Sequence, residues 1–371
     1  MAEEKIRVLR VLSNLGGGGV QRRLLSLLPY LNEKWEINLL SFKGGILEEE
    51  FRKRVKELLI VRRRSKFDPV CISKIYNYLK KRKIHILHTH THKPNTTARI
   101  AGILAGVPII IAQEHNLDTW KGILQRFIDV FFAGFTDRIV VVSKAVGEFY
   151  HSIGIPREKI YLLYNGIEYE KYILREEVKE KAGKKKGELW VGYVGRLHPQ
   201  KGVEFLIKGF KKVSLSFPQA QLLIIGEGPL KDKLLHIVEE EGIQGRVKFM
   251  GRREDLSSLL PLLDILVLPS LREGFPNVIL EAMASSLPVI ASDTGGVREV
   301  VEEGITGYLV PPKDVSALAA RIKLLLQDQA LREEMGRRGR EKVKKFHISR
   351  MAEETIRLYT SLLKEKGIRI C

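Results

Sequence analysis

Cysteine is nearly absent. Cys71 and Cys371 are the only two in 371 residues, too far apart for a zinc knuckle, and so few thiols exclude a disulfide scaffold and fit a reducing cytoplasm. No stretch approaches the roughly eighteen uncharged apolar residues of a membrane span, and the N-terminus lacks a basic-then-apolar pattern with a cleavage site, so neither spanning nor export is expected. Asp-x-Asp does not occur, which removes the usual carboxylate clamp for a divalent cation on a diphosphate. The glycine run at 16–19 lacks the G-x-G-x-x-G spacing of dinucleotide enzymes. There is no zinc-finger spacing, aromatic RNP-type strand or leucine zipper, so no nucleic-acid partner is expected.

What is present is positive charge and alternation. Lys and Arg number 63 against 44 Asp and Glu, a net +19, and residues 1–175 alone hold 30 basic and 17 acidic side chains, a net +13. A field of that sign favours an anionic partner, and membrane proximity suits it better than nucleic acid. At 371 residues the chain exceeds what one core serves, and 44% hydrophobic residues fill two. Short apolar runs at 5–15, 36–42, 58–61, 86–90, 109–115, 138–143 and 160–166, then 188–195, 221–226, 247–251, 264–270, 288–292 and 309–314, alternate with helical patterns. Such alternation predicts doubly wound α/β sheets whose ligands lie beyond the carboxyl ends of the strands. Residues 170–187 are charge-rich and strand-free, as a linker is. From 315 to 368 the pattern is helical, interrupted around 346–348.

Three loops carry the chemistry. The glycine turn at 16–19 precedes a helical run with leucines at 24, 25, 27, 28 and 31. Without Cβ atoms its backbone approaches a ligand closely, and the helix turns its positive end to the same place. The stretch EGFPNVILE, residues 273–281, follows the apolar run at 264–270. Pro276 suits a first helical turn, where its missing N–H would have no partner, so residues 277–284 are expected to be a helix. Glu273 then lies in the loop, Glu281 one turn in, and the amides around 275–278 face the crevice. Carboxylates for hydroxyls and N–H groups for phosphate suit a nucleotide sugar. In RLHPQKG, residues 196–202, Arg196 and Lys201 stand five apart at the mouth of a helix over 203–216, where a forked guanidinium and an ammonium converge on one diphosphate.

Two glutamates separated by seven residues, with GFPNVILEAMASSLPVIASDTGG running on from the first, closely resemble the signature of the retaining GT-B glycosyltransferases of the GT4 family, and the resemblance covers nearly the whole chain. It implies an α/β architecture of two Rossmann-like domains facing each other across a cleft. An acceptor-binding domain would span 1–170, a linker 171–187, a nucleotide-sugar domain 188–348, and a last helix, 349–371, would cross back onto the first. The implied reaction moves a sugar from a nucleotide-diphosphate sugar to a saccharide or lipid-linked acceptor in cell-envelope polysaccharide or glycolipid synthesis. UDP is the commoner donor nucleotide, with guanine and adenine left open.

By the same likeness Glu273 contacts the donor sugar's hydroxyls, Glu281 the ribose hydroxyls, and Arg196 and Lys201 the diphosphate. His115 is the strand-end histidine beside the sugar's hydroxymethyl group, while Gly17, Gly18, Gly226, Arg252, Gly274, Phe275, Pro276, Asn277 and Val278 line the donor. Protein cations and helix amides would neutralise the leaving group, so no metal and no other cofactor is expected. No residue stands out as a nucleophile, and the acceptor hydroxyl is expected to attack on the face the phosphate leaves.

Two rival readings stay open. A GT-B epimerase would need further acid and base groups around the sugar, and a non-catalytic basic binding module would not need Arg196, Lys201, Glu273 and Glu281 together. His88, His90 and His92 alternate at a strand end, which puts three imidazoles on one side; with no carboxylate or cysteine nearby in sequence they read as packing, not as a metal site. Glu114, beside His115, has no assigned role. Phe127, Phe131 and Phe135, four apart, form a stripe that serves either core packing or a face for lipid or a hydrophobic acceptor. The expected location is cytoplasmic, with peripheral contact to the inner face of the membrane.

Overall fold

The computed structural model describes residues 5–65, 67–172 and 184–369. Cys371 and most of the expected linker, 173–183, lie outside the described residues. The chain divides into two units, Met1–Gly166 with Ile348–Cys371, and Ile167–His347. The division comes at 166, not 170, because residues just past it bond within the second unit: Ile167 N–H donates to Phe346 O at 2.8 Å, and Arg340 Nη1 to Tyr172 O at 3.0 Å.

The first unit is built on a seven-stranded sheet of β1 (Arg7–Leu12), β2 (Glu36–Ser41), β3 (Glu57–Ile60), β4 (Ile86–His90), β5 (Ile109–Glu114), β6 (Arg138–Val141) and β7 (Ile160–Leu162). The order is β3-β2-β1-β4-β5-β6-β7, all parallel, so the winding reverses between β1 and β4. Both faces are covered, and period-two alternation sorts the strands between two cores. Val8, Leu12, Ile86, Ile109 and Ile111 face one core; Leu9, Val11, Leu40 and Leu87 face the other. Helix Gly19–Asn32 buries all five leucines of the sequence pattern. Beside it packs the long last helix, Ile348–Glu365, which buries Leu358, Tyr359, Leu362 and Leu363 in the same core and so belongs to the first unit.

The second unit has six parallel strands, β8 (Leu189–Val194), β9 (Ala220–Ile225), β10 (Val247–Gly251), β11 (Ile265–Leu268), β12 (Val289–Ser292) and β13 (Gly307–Val310). Their order is β10-β9-β8-β11-β12-β13, so the reversal here lies between β8 and β11. Helices Val203–Ser214 and Asn277–Ala284 follow these two central strands.

Several expectations needed correction. β4 and β10 match their apolar runs, but most strands are shorter than theirs, because residues at their carboxyl ends bond away from the ladder; Leu15 N–H, expected in β1, reaches Lys43 O at 3.2 Å. The C-terminal helical run breaks at Asp328 as well as near 346, since Asp328 Oδ1 accepts from Leu331 N–H at 2.8 Å and starts a new helix, Gln329–Val343. Pro276 is the N-cap and not part of the first turn, with helix Asn277–Ala284 beginning just after it. The phenylalanine stripe is not core: Phe127, Phe131 and Phe135 are 66%, 54% and 51% exposed, with Ile123, Leu124 and Trp120 also exposed nearby.

Candidate active site

In the second unit, the loops after β8 and β11 flank the reversal of strand order, where a doubly wound sheet opens a crevice. They are knitted together: Leu271 N–H donates to Gln200 O at 2.8 Å, and Gln200 Nε2 to Arg272 O at 2.8 Å. The approach is close enough that a Cβ on Gly202, at φ +61°, would collide with Pro269 O. This closeness places Lys201 against Glu273. Lys201 Nζ lies 2.5 Å from Glu273 Oε1, and Ser270 Oγ donates to the same oxygen at 2.6 Å. Glu273 is only 6% exposed, so its carboxylate is held by an ammonium and a hydroxyl in place of water.

Arg196, on the same loop as Lys201, is exposed, and its side chain has no partner among the described residues. Its carbonyl is held by Tyr193 OH at 2.9 Å, so the backbone is anchored while the guanidinium stays available. Gly226 and Arg252 follow the neighbouring strands β9 and β10, joined by Gly226 N–H to Gly251 O at 2.7 Å. Gly226 sits at φ +138° directly under Gly195 O, a position no side chain could share. Gly274, Phe275 and Pro276 are buried. Phe275 packs its ring 5.7 Å from that of Phe346, so it anchors the loop, and Pro276 has no N–H to offer. Asn277, Val278 and Glu281 are half-buried on the first turns of their helix.

In the first unit, Gly17 (φ +78°) and Gly18 form the turn before helix Gly19–Asn32, with Gly18 as N-cap. His115 follows β5 directly, half-buried, and lines a small cleft with Arg10, Val20, Arg23, Gln113 and Asn165. Its Nε2 is 3.2 Å from His90 Nδ1. Burial, and then the charge of Arg10, push the His115 imidazole down to about 4, with Asp118 opposing, so the ring is neutral at physiological pH. The three histidines of the sequence cluster do not share one side. His88 and His90 stack at 4.6 Å on β4, but the strand ends there, and His92 opens a helix with its ring against Trp120. Among the described residues no group of three or more His, Cys, Asp or Glu side chains is arranged to hold a metal ion.

Residues 17–171 match the family model "Glycosyltransferase Family 4", and residues 175–342 match "Glycosyl transferases group 1". The capsular polysaccharide biosynthesis glycosyltransferase CapM of Staphylococcus aureus is 31% identical over 306 residues, covering 77% of this chain and 79% of that protein. The chain belongs to the GT4 glycosyltransferases.

A UDP-Gal:α-D-GlcNAc-diphosphoundecaprenol α-1,3-galactosyltransferase of Escherichia coli is 29% identical over 370 residues, covering 94% of this chain and 95% of its own. The crystal structure of Anabaena HepE with UDP-glucose superposes with a TM-score of 0.87 at 20% identity, covering 96% of this chain and all of the other, which shows the shared GT-B fold. The relatives are transferases, and the epimerase and non-catalytic readings are left without support.

Sequence reasoning missed part of this GT4 enzyme's constellation. Ser270 was read only as the end of a strand. Arg10 was read only as part of one, although it is a buried charge among apolar neighbours. Glu114, left unassigned, is buried in a network centred on Lys121, whose Nζ lies 2.8 Å from Asp129 Oδ2, 3.0 Å from Asp118 Oδ2, 2.9 Å from Tyr150 OH and 3.9 Å from Glu114 Oε1. Burial, reinforced by Asp118 and Asp129 and opposed by Lys121, pushes the Glu114 carboxyl up to about 7. The network ties the loop after His115 to helix Ile123–Ala133. That helix buries its only carboxylate, Asp129, and turns Ile123, Leu124, Phe127 and Phe131 outward.

Proposed function

We propose that this GT4 enzyme transfers a sugar from a UDP-sugar to a saccharide or lipid-linked acceptor in cell-envelope polysaccharide or glycolipid synthesis, with retention at the anomeric carbon and without a bound metal. The observation that carries this reading is the Lys201–Glu273–Ser270 contact beside the free guanidinium of Arg196. A carboxylate preset by an ammonium and a hydroxyl accepts bonds from the hydroxyls of a donor sugar. Arg196 and Lys201 take the charge that develops on the departing diphosphate, in the place a metal holds in other transferases. The N–H groups of Asn277 and Val278, at a helix start, add to this field, and Glu281 takes the ribose hydroxyls. Gly226 and Arg252 border the base, and Gly274, Phe275 and Pro276 shape the loop through their backbone and packing. In the first unit, Gly17 and Gly18 let the chain approach the ligand and His115 offers it a hydrogen bond. The CapM and E. coli relatives, by their names, work in capsule synthesis and on a diphosphoundecaprenol-linked sugar, which supports an envelope acceptor.

The first unit is the one that meets an anionic membrane, as a peripheral contact at the cytoplasmic face. Supporting this are the outward apolar side chains Ile123, Leu124, Phe127 and Phe131, flanked by Trp120 and Phe135, and the net +13 of residues 1–175. Among the described residues no helix is long and apolar enough to cross a membrane.

A panel of nucleotide sugars, screened first by thermal shift, tests the donor: a ligand at a hundred times its dissociation constant adds about 2.7 kcal/mol to stability. The stabilising donor is then incubated with polyisoprenyl-diphosphate saccharides, and nucleotide release and the anomeric configuration of the product are read. Release of an isomerised sugar nucleotide without nucleoside diphosphate, or an inverted product, would overturn the reading.

A further inference from the structure

The guanidinium of Arg10 is 1% exposed in the middle of β1, and no carboxylate pairs with it among the described residues. Burying an unpaired charge is costly, and although Nε has no hydrogen-bond partner the two terminal nitrogens do. They lead in two directions along one face of the sheet, where Arg10 stands opposite His88 in the β1–β4 ladder. Nη2 donates to Tyr359 OH at 2.8 Å, and that hydroxyl lies 2.7 Å from His88 Nδ1. Nη1 lies 3.4 Å from His90 Nε2, and His90 Nδ1 lies 3.2 Å from His115 Nε2.

A guanidinium can only donate, and this settles the protons on the His90–His115 arm. His90 Nε2 has to accept from Arg10, so the proton of a neutral His90 sits on Nδ1 and is donated to His115 Nε2. That nitrogen is then an acceptor, which leaves the proton of His115 on Nδ1. On the other arm, the Tyr359 hydroxyl accepts from Arg10 and pairs with His88 Nδ1, where either atom can be the donor. The geometry points to Arg10 as a positioning residue that acts through His90 to hold His115 as a neutral imidazole presenting an Nδ1–H donor to the ligand. Burial and then the neighbouring charges, Arg10 among them, drive His88 and His90 well below the usual histidine range, which removes the imidazolium alternatives. The charged groups that act on His115 are Arg10, which favours the neutral ring, and Asp118, which opposes it.

With Nε2 occupied by His90, Nδ1 is the nitrogen left for substrate. It can donate to a hydroxyl or phosphate oxygen and cannot remove a proton from one, so His115 serves as an orienting donor and not as a base. This consequence rests on the reading of His115 as ligand-facing; the tautomer itself does not.

The test uses the full chain labelled with ¹⁵N-histidine, with two-bond ¹H–¹⁵N spectra recorded at pH 7.5 and His115 assigned from the signals lost in His115→Gln. The expected spectrum has His115 protonated at Nδ1 and bare at Nε2; the reverse in the unaltered protein would overturn the relay without any other variant having to fold. In Arg10→Met the single tautomer is expected to dissolve and the acid limb of the rate profile to move up by about one pH unit. An Nδ1–H tautomer and acid limb unchanged in Arg10→Met would overturn the role of Arg10. Tyr359→Phe severs only the His88 arm, so an unaltered His115 spectrum supports the assignment to His90 and an altered one overturns it. Full transfer activity in His115→Gln would sink the functional reading of His115 and leave the tautomer result standing.

Discussion

Arg196 and Lys201 are assigned the same task on the diphosphate, yet their surroundings predict different costs of removal. Lys201 is the counter-ion of a carboxylate whose side chain is 8% exposed, and its own side chain is 17% exposed. Removing one partner of a fully buried pair costs about 3–5 kcal/mol, because the other charge is left desolvated and alone. Here Ser270 still donates to Glu273 and some water reaches the pair, so Lys201→Ala is expected to cost about 2–3 kcal/mol of stability, below the full burial figure. Arg196→Ala removes an exposed side chain with no partner among the described residues and should change stability by less than about 0.5 kcal/mol. Both should lose transfer, by about a hundredfold or more in kcat, since each takes one preorganised charge from the leaving group. Denaturant unfolding followed beside steady-state kinetics separates the two effects. A third variant closes the cycle: Lys201→Ala with Glu273→Gln removes both charges and should regain most of the lost stability while staying inactive. Wild-type stability in Lys201→Ala would mean the pair contributes nothing to the fold. Near-wild-type turnover in either single variant would remove that cation from the mechanism.

Chelation should leave activity intact after exhaustive treatment, and complete loss restored by magnesium or manganese would contradict the protein-cation mechanism. Acid should weaken the fold well before the ordinary carboxylates titrate. His88, His90 and His115 are held below the usual histidine pKa, so between about pH 6.5 and 4 the unfolded chain binds protons that the fold refuses and stability falls as pH falls; Glu114, pushed up to about 7, binds its proton in the fold first and offsets one of the three. The net slope near pH 5.5 is expected to be about 2 kcal/mol per pH unit, read from urea unfolding at successive pH values, and a flat profile would refute the buried neutral histidines. Phe127→Glu with Phe131→Glu should leave stability within about 1 kcal/mol, since both rings are already more than half exposed, and should abolish co-sedimentation with anionic vesicles at low salt. If the unaltered protein does not bind such vesicles, the apolar face serves a protein or a soluble acceptor.

The amino-acid sequence alone determined the parts of this protein that local rules govern. Alternation of apolar runs and helical patterns is enough to write a parallel α/β chain, and the five leucines after the glycine turn are all buried as their spacing requires. Residues 273–284 could be read as loop then helix, because a proline and two spaced glutamates act within a turn or two of themselves. Tertiary structure alone decided what faces what. Periodicity shows that helix Ile123–Ala133 has an apolar side, but not that this side points outward; that depends on Lys121, itself held by Asp118 and Tyr150, satisfying Asp129 beneath it. A strand pattern shows three alternating histidines, but β4 ends at His90 and sends His92 elsewhere. Arg10 meets His90 eighty positions away and Tyr359 at a separation of 349, on a helix that returns to the first unit only after the whole second unit has been built. Backbone propensity and side-chain period act over a few residues, whereas burial, charge pairing and proton placement depend on neighbours that only the folded chain brings within hydrogen-bond reach.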